Sequence, residues 1–365
     1  MNRMARIAVL AGDGIGPEII DQALKVLDAL RSRGFTFSAT RAPVGGAAID
    51  ALGHPLPAET LALARQSDAV LFGAVGAPEY DTLPPPSRPE QAILGLRREL
   101  GLFAAVKRVA IPAALTHLSP LKNGRASGVD LMVVRELNGD VYTGQPKGER
   151  PAPDGPFAGQ REGFDTMRYA EGEVRRIAHV AFRMAERRSG RLCSVDKSNV
   201  LATSRLWREV VTDVGRDYPR VKLEHLYADN AVIRLISSPA CFDVILTANL
   251  FGDILSDAAA ILTGSIGLPA SALLGDGTQG LYEAGHGTAM DLAGRDMANP
   301  VACIRAAALM LRHSLARPDL ADVVDQATDA ALMDGVRTPD LAGTRAAVGT
   351  RAMGDAVVAR LGTRA

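Results

Sequence analysis

The sequence predicts an α/β fold in two domains, with strands that pair mainly in parallel. Three observations carry this. Short apolar, β-type runs alternate with longer stretches of helical period, the pattern of βαβ units. The 365 residues exceed a usual single domain, and a hydrophobic content of 47% is ample for more than one core. No internal repeat or low-complexity tract breaks the alternation.

Arg6–Leu10 opens as an apolar strand. Gly12, Gly14 and Gly16 suit a tight corner, and Pro17 suits the first turn of a helix over Pro17–Arg31. Ala69–Phe72 is a short apolar run that reads as a buried strand. Glu90–Leu100 reads as a helix on which Glu90, Ile93, Leu94 and Arg97 share a face. Strand Gly128–Val134 follows. Amphipathic helices Glu171–Arg188 and Ser204–Asp217 flank strand Leu192–Val195. Strands Val221–His225 and Asp243–Thr247 bracket helix Ala231–Ser237, and Val301–Leu315 is the last expected helix. Gly144–Gly163 is rich in Pro, Gly and charge without a helical period. It reads as a surface loop or as an extended oligomerisation arm.

Lys plus Arg and Asp plus Glu number 41 each, so the formal net charge is zero. That excludes a polycationic nucleic-acid binder, and no apolar run approaches membrane-spanning length. The N-terminal residues run into a strand without a signal-peptide apolar region. Cys193, Cys241 and Cys303 have no ligand spacing and apolar neighbours, so each reads as a small core residue in a reduced, cytoplasmic setting.

Asp253 and Asp257 lie four apart, on one face of an expected helix about one turn from each other. Alone, such a pair reads first as two solvated surface residues. Its flanks argue for more, because Phe242–Asn249 reads as a buried strand and open α/β sheets hold ligands beyond the carboxyl ends of strands. Two adjacent carboxylates repel unless a hard divalent cation joins them, and Asp229 offers a third oxygen. All-oxygen ligands suit magnesium or manganese better than zinc.

Other groups carry weaker signals. Gly12–Glu18 lacks the third glycine of a G-x-G-x-x-G fingerprint in place, and its residues are explained as a strand-to-helix corner. The Glu90, Ile93, Leu94 and Arg97 face suits an organic acid with an apolar branch, or ordinary packing equally well. Arg135, at the end of an apolar strand, is a candidate carboxylate clamp, and Tyr142 a candidate proton donor or a packing residue. Lys197 ends a buried-looking strand, where desolvation or a nearby metal would let it take a proton near neutral pH; otherwise it is a solvated loop residue. The small-residue loop from His286 to Asp291, followed by Asn299, could wrap an adenosine. A carboxylate there accepts from ribose hydroxyls and repels a 2′-phosphate by roughly 3 kcal/mol per unit charge at ~5 Å and dielectric ~20, favouring NAD.

Taken together and in order, these segments resemble the isocitrate/isopropylmalate dehydrogenase family over nearly the whole chain. The resemblance is carried by Gly12–Glu18, Arg88–Glu90 leading into Leu96 and Arg97, Val133–Leu137, Pro146–Gly148, Asp196–Val200, Leu206–Val211, Asn249–Asp257, His286–Gly294 and Ala298–Pro300. It implies an isopropylmalate dehydrogenase-like two-domain fold with a long mixed, mainly parallel central sheet and no Rossmann unit. One domain would comprise 1–102 with 265–365, on the cofactor side. The other, 103–264, would carry dimerisation and the metal and substrate groups, with an arm near 140–163.

The resemblance further implies a homodimer with a shared active site, Lys197 and Asp229 coming from one subunit and Asp253 and Asp257 from the other. Asp229, Asp253 and Asp257 would hold Mg2+ or Mn2+. Lys197 and Tyr142 would be catalytic, as base and acid. Arg97, Lys107, Arg135 and Asp229 would bind the malate portion, with Ile93, Leu94 and Val200 at the branch. Ala77, Glu90, His286, Gly287, Thr288, Ala289, Asp291 and Asn299 would bind NAD. The implied activity is NAD-dependent oxidative decarboxylation of 3-isopropylmalate in leucine biosynthesis. Another 3-substituted malate (malate, tartrate, homoisocitrate) is the second reading, and a non-catalytic nucleotide-binding paralogue the third.

The chain departs from the family pattern in several places. Lys107 stands for an arginine and keeps the charge without the bidentate fork. Thr143 stands for an aromatic, Asn138-Gly139-Asp140 for Thr-Gly-Gly, Ala258 for a glutamate and Met290 for a proline. These changes bear on the substrate's side group more than on the chemistry.

Overall fold

The computed structural model describes residues 4–122 and 124–362. Twelve strands are β1 (Ala5–Gly12), β2 (Phe37–Arg41), β3 (Ala69–Ala74), β4 (Ala104–Ala110), β5 (Asp130–Glu136), β6 (Gly148–Pro151), β7 (Arg161–Phe164), β8 (Arg191–Asp196), β9 (Lys222–Tyr227), β10 (Val244–Thr247), β11 (Ser271–Leu274) and β12 (Gly280–Glu283). Ten form a mixed, mainly parallel sheet in the order β2-β1-β3-β12-β11-β4-β5-β10-β8-β9. β6 and β7 pair antiparallel as a separate two-stranded ribbon. The Pro- and Gly-rich segment is thus an exposed hairpin.

The chain divides into two compact units, Met1–Asp130 with Ala259–Ala365, and Leu131–Ala258. In the first, β1 pairs in parallel with β2 and β3, and β3 with β12. β11 runs antiparallel to β12 and β4. β3 is buried at every residue, as expected of a strand covered on both faces. Its cover includes helix Gly16–Ala29, which buries Ile19, Ile20, Ala23, Val26 and Leu27 at helical spacing, and helix Val301–His313. The carboxyl ends of β1, β3 and β12 fall on one edge of the sheet, Gly12 being paired with Ala74. They deliver three loops there: Asp13–Ile15, Val75–Ala77 and Ala284–Thr288.

In the second unit β5, β10, β8 and β9 are all parallel neighbours. Thr247 pairs with both Arg135 and Val195, and Asp196 with Tyr227, so these strands end together. Helix Glu171–Glu186 buries Val174, Ile177, Ala178, Ala181, Phe182 and Ala185, a single apolar stripe. Glu173 accepts the Ala170 N–H at 2.7 Å and closes its N-terminus. Helix Ala202–Gly215 packs beside it. Its Trp207 is buried edge-on to Tyr169, ring centroids 5.3 Å apart, and donates Nε1–H to Ser194 Oγ at 3.2 Å.

Two expectations need correction. Cys193 and Cys303 are buried, but Cys241 is exposed, because it sits on a short turn between helix Ala228–Ser237 and β10. Asn249 belongs not to the strand but to the helix Asn249–Ile261 that follows it, so Asp253 lies in that helix's second turn.

Candidate active site

The carboxyl ends of the second unit's strands bring chemistry together. β5 ends in Arg135 and Glu136, β8 leads into Lys197, β9 into Asp229, and β10 into Asn249 and helix Asn249–Ile261. Gly252 makes the closest packing possible. A Cβ there would stand 2.6 Å from Arg135 Cγ and 2.9 Å from Thr247 Cγ2.

Arg135 is held in a planar fork. Its Nε and Nη2 donate to Asn249 Oδ1 at 2.9 and 2.7 Å, and Nη1 donates to Asp253 Oδ1. Asn249 is fixed in turn, since its Nδ2 donates to the carbonyls of Leu137 and Gly139 at 2.9 and 3.2 Å. The phenol of Tyr142 donates to Asp253 Oδ2 at 2.6 Å, and the Arg135 guanidinium lies 5.5 Å from the Tyr142 ring centre. That hydrogen bond, with burial and the Asp253 charge, pushes the Tyr142 phenol above its usual range. Tyr142 therefore carries its proton at neutral pH and sits where it can donate it. Asp257 lies one turn further along the helix, exposed.

Lys197 makes an ion pair with Asp229, and its ammonium lies 5.8 Å from the Tyr227 ring centre. The bond from Lys197 holds the Asp229 carboxyl below the usual carboxylate range. Val200 is exposed nearby in sequence. Among the described residues of one chain no three His, Cys, Asp or Glu side chains gather to hold a metal. Asp229 stands with Lys197, while Asp253 stands with Arg135 and Tyr142. Carboxylate oxygens are the donors a hard cation prefers, and such an ion would take them from the protein cations that now pair with them.

In the first unit, Ile93, Leu94 and Arg97 lie on helix Gln91–Glu99, Leu94 exposed and the other two half-buried. Glu90 caps that helix, and its carboxylate lies 2.8 Å from where a Cβ on Gly76 would stand, beside buried Ala77. Lys107, on β4, pairs with Ser271 on β11, and its Cε lies 3.5 Å from a Cβ position at Gly285. It thus reaches the start of the His286–Asp291 loop. His286 Nδ1 lies 2.9 Å from the Gly287 carbonyl, and burial lowers its imidazole below the usual range, leaving it neutral. Thr288 and Ala289 continue the loop, Ala289 at φ +39°. Gly287 and Asp291 are exposed, and a Cβ on Gly287 would meet nothing within 4 Å. Exposed carboxylate, neutral imidazole and open glycine backbone suit a nucleoside.

Asn299 is different. It is buried, donates Nδ2–H to Asp340 Oδ2 at 2.9 Å and accepts the Val301 N–H at 3.0 Å. Its side chain holds the start of helix Val301–His313.

Sequence reading missed two residues. Asn249 orients Arg135 across 114 positions, and only its place between strand and helix hinted at a role. Asp13 lay inside a glycine loop explained by its glycines alone, yet its carboxylate accepts three backbone N–H groups.

Residues 6–357 match the family described as isocitrate/isopropylmalate dehydrogenase. The chain is 57% identical to a 3-isopropylmalate dehydrogenase of Burkholderia thailandensis, covering 98% of this chain and 100% of that protein. It is 56% identical to one of Cupriavidus metallidurans over the same shares. Among solved structures, an isocitrate dehydrogenase from Methylococcus capsulatus superposes with TM-score 0.86 at 33% identity, covering 99% of this chain and 100% of that one. A beta-decarboxylating dehydrogenase from Thermococcus kodakarensis gives 0.78 at 32% identity, with 98% and 96% covered.

Proposed function

The chain belongs to the isocitrate/isopropylmalate dehydrogenase family, and from that premise we propose that it catalyses NAD-dependent oxidative decarboxylation of 3-isopropylmalate. The products would be 4-methyl-2-oxopentanoate and carbon dioxide, a step of leucine biosynthesis. The observation that carries the reading is the convergence of Arg135, Tyr142 and Asp253: a carboxylate clamp, a proton donor and an acidic ligand in direct contact.

When bound, Mg2+ or Mn2+ would stabilise negative charge developing on the substrate oxygen, and NAD would accept two electrons from the carbinol carbon. Asp253 and Asp257 of one chain, with Asp229 of a second, would hold the metal. The chain's own residues do the rest. Lys197 takes the proton of the substrate hydroxyl, with Asp229 beside it. Tyr142 returns a proton to carbon after carbon dioxide leaves, a step of the kind that contributes about 10²–10⁴ in rate. Arg97, Lys107 and Arg135 hold the two carboxylates, and Ile93, Leu94 and Val200 meet the isopropyl branch. The Ala77–Glu90 segment and the loop from His286 through Thr288, Ala289 and Asp291 hold NAD, with Asn299 fixing the loop's far end.

The divided acids, and exposed apolar residues on the helices that carry them, support a homodimer. Ile233 and Ile236 are 61% and 54% exposed, and Ile254 and Ile261 57% and 47%. Apolar side chains at such positions favour burial against a second copy. No described helix is long and apolar enough to cross a membrane, and a cytoplasmic setting is the reading that accords with the substrate and cofactor proposed.

A second reading, a differently substituted malate, differs from the first only in which substrate turns over. Turnover of isopropylmalate, malate, tartrate and homoisocitrate with NAD and magnesium, read by NADH absorbance, decides. Isopropylmalate as the poorest substrate would overturn the first reading. No NADH with any of the four would point to a non-catalytic paralogue.

A further inference from the structure

We propose that Asp13 is a positioning residue for the dinucleotide, an inference that rests on the cofactor assignment above. Asp13 is buried, and its carboxylate faces backbone. Oδ2 accepts from Gly46 N and Gly76 N, both at 2.8 Å, and Oδ1 from Ala47 N at 2.8 Å. Its own N–H donates to the Ala74 carbonyl at 2.7 Å. Two residues on, Ile15 N donates to the Thr288 carbonyl at 2.9 Å. Gly14 lies between at φ +56°, and a Cβ there would stand 2.2 Å from Thr288 O.

One short loop therefore fixes two distant segments. Asp13 sets the place of Gly76, and through it Ala77. Gly14 and Ile15 set the place of Thr288. These are the two stretches assigned to NAD. An ionised carboxylate meets this task because it accepts several N–H groups at once, in a pocket where each lost partner leaves a buried donor unsatisfied. Asparagine would turn an amide N–H toward one of those donors. Glutamate would push the two segments apart by the length of a methylene. Gly14 then serves the approach of Thr288, and Gly12 and Gly16 that of Ala74 and Ala11, rather than a pyrophosphate, which explains a Gly-rich loop without the dinucleotide spacing.

The test uses the full-length protein with NADH binding by calorimetry, steady-state KM for each substrate, and melting temperature. Asp13→Asn and Gly14→Ala are the variants. The expected result is a Kd for NADH and a KM for NAD raised about tenfold or more, with KM for the malate substrate within about twofold of the parent. A lower melting temperature with unchanged NADH affinity in both variants would overturn the inference, leaving Asp13 a purely structural residue. Equal loss for both substrates would overturn it too. If Asp13→Asn does not fold, Asp13→Glu decides, since it keeps the charge but displaces Gly76; unchanged NADH affinity in that variant would overturn the inference. Failure of the parent protein to bind NADH would instead remove the cofactor assignment itself.

Discussion

Gly252→Ala separates packing from chemistry at the Arg135 fork. The added methyl would lie 2.6 and 2.8 Å from Arg135 Cγ and Cβ and 2.9 Å from Thr247 Cγ2. Carbon atoms prefer about 3.5–4.0 Å, so roughly 1 Å must be found. Thr247 is fully buried in β10, between two paired strands, and cannot yield. Arg135 must move, and its bonds to Asn249 and Asp253 go with it. Overpacking costs about 1–3 kcal/mol, while alanine regains about 1 kcal/mol of helix propensity over glycine. The net loss is about 0–2 kcal/mol, a fall of roughly 0–8 °C at ~2–4 °C per kcal/mol. Activity responds more strongly. A charge-assisted hydrogen bond to the substrate carboxylate contributes about 1.5–3 kcal/mol, so kcat/KM should drop about 10- to 150-fold. Steady-state kinetics beside a melting curve measure both. Gly172→Ala, on an exposed first turn where a Cβ meets nothing within 4 Å, is the control: kcat/KM should not change, and the melting temperature should rise by at most about 2–4 °C from helix propensity alone. An unchanged kcat/KM in Gly252→Ala, whatever the melting temperature, would refute Arg135 as the clamp.

Asp253→Asn should abolish metal-dependent turnover with melting temperature within a few degrees, because that side chain is partly solvated; full activity in that variant would remove it from the metal site. Asp291→Lys should weaken use of NAD and improve use of NADP, each unit of charge being worth about 3 kcal/mol at ~5 Å and dielectric ~20; an unchanged preference in kcat/KM would refute the ribose role. His225 is held below the usual imidazole range, first by burial and then by Arg208, so it stays neutral when folded. Its unfolded pKa is about 6.5, so acidification below that value protonates the unfolded chain first and stability falls toward the folded pKa. His225→Gln should flatten urea midpoints between about pH 7 and 5.5; parallel pH slopes in parent and variant would count against it.

Much of the fold was legible because its strands are short apolar runs. β1, β3, β5, β8 and β10 all stand where such runs occur, and β9 where polar residues alternate with leucines. β2 was not, because Phe37–Arg41 is a polar edge strand with one buried residue. β4 was hidden by three alanines and a Lys-Arg pair, which lack β propensity, although its inward side alternates. β11 and β12, four residues each, are too short for a period to show. The acids, Lys197 and Arg135 could be picked out from residue type and strand ends. The bond from Tyr142 to Asp253 spans 111 positions, and no local pattern encodes it. Asp13 escaped because its partners are backbone N–H groups, which leave no trace in residue identity.

Trp207 is the chain's one tryptophan, and it lies in the unit that carries the acids. Its ring leans on Tyr169, whose hydroxyl accepts the N–H of Asn249 at the head of the acid-bearing helix. Intrinsic indole emission therefore reports on one half of the protein, while far-ultraviolet dichroism sums over both. Denaturation followed by the two signals together distinguishes joint from stepwise melting, with no label added.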